Sequence, residues 1–96
     1  MELMDYEYIE KVAACLKLIA HPHRIRIIEL LSKGKYSVNE IAETCSIPAN
    51  QACEHLRLLK NHGLLGSDRE GRIVYYKIIS FQIEDLLNCI RKNCVS

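Results

Sequence analysis

Apolar residues recur at helical spacing along most of this chain and switch to alternate spacing over one stretch near its C-terminal third. Tyr8, Val12, Cys15 and Ile19 stand at i, i+4, i+7 and i+11, which predicts a helix over about residues 6–20, ended by His21-Pro22. A second helix is expected from Arg24 to Ser32, with Ile27, Ile28 and Leu31 inward and Gly34 at its end. Ser37-Val38-Asn39-Glu40 reads as a capping box, since Ser37 and Glu40 can each satisfy the other's backbone donor, and it opens a short third helix that runs to about Cys45. Ser46-Ile47-Pro48 is the turn into a fourth helix. There Ala52, Leu56 and Leu59 form one apolar stripe, Pro48 fits the first turn, and Gly63 fits the left-handed position just past the end.

Ile73, Tyr75 and Lys77 then alternate with Val74, Tyr76 and Ile78, the period and composition of a strand, with Arg69-Glu70-Gly71-Arg72 as the turn before it. Ser80 caps a last helix striped by Ile83, Leu86, Leu87, Ile90 and Cys94. The expectation is a mainly α chain with one β-hairpin, in the order α-α-α-α-β-β-α, forming a single domain over residues 1–96. The first and last helices carry apolar stripes that the middle of the chain does not cover. A two-fold copy of the same chain is the expected partner, so a homodimer joined through these two helices is anticipated.

On the fourth helix the side away from the apolar stripe carries Asn50, Cys53, Glu54 and Arg57 at i, i+3, i+4 and i+7. An α-helix fits the DNA major groove, where Arg pairs with guanine, Asn with adenine, and Glu accepts from the cytosine amino group. An ordinary solvated helix face has the same look, and the hairpin decides between them. A two-stranded ribbon with Arg69 and Arg72 at its tip can lie along phosphates or enter a minor groove beside the helix. Helix then ribbon is the arrangement of a winged helix-turn-helix, with the third helix crossing the DNA backbone. The candidate DNA-contacting residues are Asn50, Gln51, Cys53, Glu54, Arg57, Lys60, Arg69 and Arg72, and double-stranded operator DNA is the expected partner.

Composition adjusts this picture in three ways. With 49% hydrophobic and 26% charged residues the chain is globular rather than disordered. A net charge of +1 supplies no global basic field, yet Glu2, Asp5, Glu7 and Glu10 open the chain without a cation, while Arg57, Lys60, Arg69, Arg72 and Lys77 face only Asp68 and Glu70. That local basic surface suffices for phosphate contacts. The acidic start has no signal-peptide pattern, Val12 to Ala20 is too short to cross a membrane, and five cysteines without framework spacing fit reduced thiols, so a cytoplasmic protein without membrane association is expected.

With these motifs in order, the sequence resembles the ArsR-type (ArsR/SmtB) winged-helix repressors. The resemblance runs from about residue 12 to residue 80. It is carried by Leu16-Lys17-Leu18-Ile19-Ala20-His21-Pro22-His23-Arg24-Ile25-Arg26-Ile27, Ser37-Val38-Asn39-Glu40-Ile41-Ala42, His55-Leu56-Arg57-Leu58-Leu59-Lys60-Asn61-His62-Gly63-Leu64-Leu65 and Arg69-Glu70-Gly71-Arg72-Ile73-Val74-Tyr75-Tyr76. It implies a homodimeric repressor that binds a palindromic operator and leaves it when a metal ion, metalloid, or reactive sulfur or oxygen species reaches a thiol or imidazole site. The chain departs from the family's known effector sites. Ser37 and Asn39 stand where arsenic- and lead-type members have Cys-x-Cys, the last helix has no histidine for a zinc- or nickel-type site, and Glu29 stands where sulfide-sensing members have the first of two cysteines. No metal site is therefore assigned.

The effector-sensing candidates are Cys15, Cys53, Cys89 and Cys94. Cys15 and Cys94 lie on apolar stripes, where a cysteine serves as a small hydrophobe. Alternatively, packing of the first helix on the last brings Cys15 near Cys89 or Cys94 as a soft thiolate site for a metal or metalloid ion, or for a sulfur bridge. Cys89 and Cys94, about 140° apart around a helix, cannot chelate one ion by themselves. Cys45 falls inward and reads as core. Cys53, on the polar face four residues before Arg57, is either a simple contact residue or a redox- or metal-responsive group. The four histidines read as hydrogen-bonded imidazoles rather than ligands. An enzyme is not expected, because Cys53 and His55 point about 200° apart on a helix and no phosphate-binding loop or paired acid/base motif occurs. The competing reading is a winged-helix protein–protein interaction module that does not respond to an effector.

Overall fold

The computed structural model describes residues 3–93. In chain order the elements are α1 (Tyr6–Ile19), α2 (Pro22–Leu31), β1 (Tyr36–Ser37), α3 (Val38–Cys45), α4 (Ala49–Asn61), β2 (Leu65–Glu70), β3 (Ile73–Ile78) and α5 (Phe81–Asn93). The expected five helices and hairpin are all there. One strand was not expected: β1 pairs antiparallel with β3, with Tyr36 opposite Tyr76 and Ser37 opposite Tyr75, so the sheet has three strands in the order β1-β3-β2. β3 is thus the central strand, which explains why it lacks a clean alternation of exposed and covered positions.

Local chemistry sets the boundaries. Pro22 begins α2 two residues ahead of the expected start, at a position where its missing N–H costs nothing. Ser37 and Glu40 form the capping box, with Glu40 N–H donating to Ser37 Oγ and Ser37 N–H donating to Glu40 Oε1. Pro48 is the N-cap of α4 rather than a residue of its first turn. At the other end Gly63 takes a φ of 80°, Leu64 N–H donates to Leu59 O, and Gly63 N–H donates to Lys60 O. These are the two bonds of a Schellman motif.

The core is built where the stripes predicted it. Ile27, Ile28 and Leu31 of α2, Ile41 and Ala42 of α3, and Ala52, Leu56 and Leu59 of α4 are buried together with Leu64, Leu65 and Ile83. α1 contributes only Leu18 as a buried residue; Val12, Cys15 and Ile19 are half-buried and Tyr8 is exposed. On α5 Leu86 and Leu87 are half-buried and Ile90 is exposed, and Cys94 lies outside the described residues. Leu16, Ile19, Ile25, Ile28, Ile83 and Leu87 help to line an apolar groove of about 290 Å³ between α1, α2 and α5.

Candidate nucleic-acid interface

α4 is held by one face and open on the other. Ala52, Leu56 and Leu59 are fully buried, while Asn50, Gln51, Cys53, Glu54 and Arg57 are all exposed. The reading stripe inferred from spacing is therefore a real solvent-facing surface. Among the described residues Arg57 has no hydrogen-bond or ion-pair partner, so its guanidinium is available to a base edge. Lys60 is placed differently. Its ammonium donates to Ser67 Oγ at 2.8 Å, so it bridges the end of α4 to the first strand of the wing.

The wing is narrower at its tip than expected. Arg69 and Glu70 are the last residues of β2, and the turn is Gly71-Arg72 alone, with Gly71 at φ 65° and Glu70 paired with Ile73. A glycine with positive φ at the first central position is what a two-residue hairpin turn with the handedness of the sheet needs. Arg69 Nε donates to Gly71 O at 3.3 Å and is folded over its own turn. Lys77 is ion-paired with Asp68 at 3.0 Å. Glu70 is paired at 2.7 Å with Lys35, a residue the spacing argument left out because it comes from the loop before β1. The Glu70 carboxylate holds the Lys35 ammonium above the usual lysine range, and the same ammonium lies 5.4 Å from the centre of the Tyr75 ring. Both wing carboxylates are thus compensated by lysines. Arg72 is the tip cation with no ion-pair partner among the described residues. It lines a shallow, half-polar recess of about 310 Å³ together with Ser37, Val38, Asn39, Ile73 and Val74, beside the N-terminus of α3.

The described thiols stand on separate helices, and Cys94 lies outside the described residues. Cys15 is half-buried on α1, packs against the core and lines a groove of about 330 Å³ with Val12, Leu64, Ile83 and Leu86. Cys53 is exposed on α4 and Cys89 exposed on α5. Cys45 packs against the core as expected, and burial pushes its thiol up, opposed more weakly by Arg26. Among the described residues no group of three or more His, Cys, Asp or Glu side chains is placed to hold a metal ion.

Three histidines, by contrast, do converge. The rings of His21, His23 and His55 lie 4.8–6.0 Å from one another, joining the α1–α2 corner to α4. Arg24 donates from Nε to His55 Nδ1 at 3.1 Å and from Nη1 to Leu18 O at 2.9 Å. His21 caps α2 by accepting from His23 N–H. The reading of these imidazoles as hydrogen-bonded groups holds for His21 and His55, whereas His62 is exposed at the end of α4. Their meeting is a tertiary event with no signal in the spacing.

Residues 19–66 match a family described as "Helix-turn-helix domain". The chain is 31% identical over 85 residues to the HTH-type transcriptional regulator NmtR of Mycobacterium tuberculosis, covering 88% of this chain and 71% of that protein. It is also 31% identical over 72 residues to the transcriptional repressor SdpR of Bacillus subtilis, covering 75% of this chain and 80% of that protein. Among solved structures it superposes with a TM-score of 0.80 and 27% identity on a homodimeric winged helix-turn-helix DNA-binding domain from Mycobacterium bovis, titled a possible ArsR-family transcriptional regulator, over 96% of this chain and 88% of that one. All three are named as regulators of transcription. With the helix-turn-helix, the wing and these matches in place, the chain belongs to the ArsR/SmtB-type family of winged helix-turn-helix transcriptional regulators.

Proposed function

We propose that this protein is a homodimeric cytoplasmic repressor that binds a palindromic operator through α4 and the wing and leaves it when an effector acts on a thiol. The observation that carries the DNA reading is the exposed stripe Asn50, Cys53, Glu54 and Arg57 on a helix whose other face is wholly buried, next to a wing tip where Arg72 is not ion-paired with any described residue. In the proposed complex Asn50, Gln51, Glu54 and Arg57 face base edges, and Lys60, Arg69 and Arg72 face phosphates. Dimerisation is supported by the uncovered apolar faces of α1 and α5 and by a radius of gyration of 14.4 Å, larger than the roughly 12.5 Å expected of a compact domain of this length. Among the described residues no helix is long and apolar enough to cross a membrane.

Release is assigned to covalent modification of Cys53, exposed on the reading face, or to Cys15, Cys89 and Cys94 where α1 and α5 of two chains meet. The test of the DNA reading compares two substitutions on a duplex selected by the parent protein from a random-sequence library. Arg57→Ala removes a bidentate base contact and is expected to cost about 1–3 kcal/mol on that duplex while leaving random DNA nearly unchanged. Arg72→Ala is expected to weaken both alike and to reduce the salt slope by about one. Parent-like binding by both variants would refute this assignment of faces.

A further inference from the structure

We infer that Arg24 and His55 form a clasp that fixes the angle of the reading helix against the α1–α2 corner, and that the clasp opens when the His55 imidazole takes up a proton. The inference rests on α4 being the reading helix.

Arg24 stands in the first turn of α2 and bonds in two directions. Its Nη1 satisfies Leu18 O, one of the last carbonyls of α1 that the helix itself leaves without a donor. Its Nε reaches across to His55 Nδ1 in the middle of α4. A guanidinium only donates, so the clasp requires a lone pair on Nδ1 and hence a neutral ring with its proton on Nε2. His55 directly precedes the fully buried Leu56 and lies on the half-buried side of α4, away from Cys53 and Arg57. It therefore acts on the reading stripe through the helix and not by touching DNA. Among the described residues this is the one side-chain hydrogen bond that joins α2 to α4.

The surroundings are set against a second positive charge. The groups that act on the ring are Arg24, His21 and His23, all of which oppose protonation, and Glu54, which favours it more weakly. Partial burial adds to the opposition and comes first among the causes that hold the imidazole below its ordinary range. His21 Nδ1 also accepts a hydrogen bond, from His23 N–H, so the cap of α2 needs a neutral ring as well. When Nδ1 of His55 takes a proton from solvent, the Nε–H···Nδ1 bond is lost, the new imidazolium faces the Arg24 guanidinium as a second cation, and α4 keeps its apolar seat but loses its polar tie to α1 and α2. Arg24 and His55 are thus positioning residues for DNA recognition.

The experiment uses the full chain and the duplex selected by the parent protein, with a random-sequence duplex as reference, at constant ionic strength from about pH 7.5 to about pH 5.5. The parent is expected to lose at least about fivefold in the ratio of selected to random affinity, the scale of a modest coupling energy. His55→Gln keeps an acceptor for Arg24 but cannot titrate in this range. It is expected to hold a ratio near the parent's neutral value across the whole range, whereas Arg24→Gln shows the reduced ratio already at neutral pH. In parallel, imidazole NMR of the free protein follows His55, which is expected to titrate below pH 6.5 in the parent and to move toward that value in Arg24→Gln. A His55→Gln protein that loses its ratio with acid as the parent does would overturn the inference, and so would a His55 titration unchanged by Arg24→Gln. If the parent selects no duplex at all, the DNA reading fails, while the NMR arm still decides whether the clasp exists.

Discussion

Removing the two carboxylates of the wing asks whether the hairpin lies along DNA phosphates. Lys77 is held 3.0 Å from Asp68 and Lys35 2.7 Å from Glu70, with all four side chains about half exposed. Pairs of this kind contribute only about 0–1 kcal/mol each to folding, so Asp68→Asn and Glu70→Gln should leave the fold intact while freeing two ammonium groups along the wing. Each freed cation that reaches a phosphate steepens the dependence of log K on log salt by about 0.9. Over a fourfold rise in salt, from about 50 to about 200 mM, that multiplies the loss of affinity by about 3.5 for one substitution and about 12 for both. The gain at low salt should be the same on selected and random duplexes, since phosphate contacts carry no sequence information. Fluorescence anisotropy at several salt concentrations reads both quantities. A double variant with the parent's slope would mean that the wing does not approach phosphates in the complex, and the placement of Arg69 and Arg72 on DNA would fall with it.

Gly63→Ala puts a side chain into a backbone at φ 80° with no atom beyond its chain neighbours within 4 Å of the new Cβ, so the cost is conformational rather than steric, about 1–2 kcal/mol of stability, read as a lower urea midpoint; an unchanged midpoint would contradict the Schellman geometry at the end of α4. Because the folded chain holds His55 below its ordinary value of 6.5, the unfolded chain binds more protons there and stability rises with pH. That contribution is complete above about pH 6.5 and is lost as the pH falls through that value toward the depressed one, so the parent should lose denaturation midpoint relative to His55→Gln on going from pH 7 to about pH 5.5, and parallel curves would refute the assignment. Oxidation of Cys53 to a sulfinic or sulfonic acid places negative charge on the reading face, so peroxide treatment should lower operator occupancy at least several-fold in the parent and spare Cys53→Ser; equal loss in both would move the sensing thiol to Cys15, Cys89 or Cys94.

How much of this was legible depends on whether the signal was local. α4 was readable because Ala52, Leu56 and Leu59 share a period and because Gly63 and Pro48 mark its ends, and α3 because Ser37 and Glu40 are the two halves of one capping device. β1 carried no such signal: two residues have no period, and their partners Tyr75 and Tyr76 are far along the chain. β2 was under-read for a related reason, since Ser67, Asp68, Arg69 and Glu70 are poor strand formers whose extended state comes from pairing with β3. Spacing alone accordingly makes the turn wider than Gly71-Arg72. At the candidate site, the reading stripe followed from helix geometry, but the charge state of the wing did not. Lys35 enters it only through the fold, and Lys77, counted with the free cations in the sequence, is compensated by Asp68. The convergence of His21, His23 and His55 is of the same kind, for neither segment alone points to the other.

The corner where those histidines meet also bears on how two copies would read one operator. α1 gives the core only Leu18 and leaves Tyr6, Tyr8 and Leu16 exposed, so most of that helix is available to a partner rather than to its own chain. Arg24 ties the last turn of this same helix, through Leu18 O, to His55 of α4. In the proposed dimer the orientation of each α4 relative to the two-fold axis is therefore set through α1 and its corner. Two reading helices must enter successive major grooves about 34 Å apart, and a small rotation at the corner moves both of them with respect to that spacing. Arg57 acts within a single half-site, at one base edge. Arg24 and His55 act on both half-sites together, so perturbing them should change the tolerance for half-site spacing while leaving the base preference within each half-site as it was.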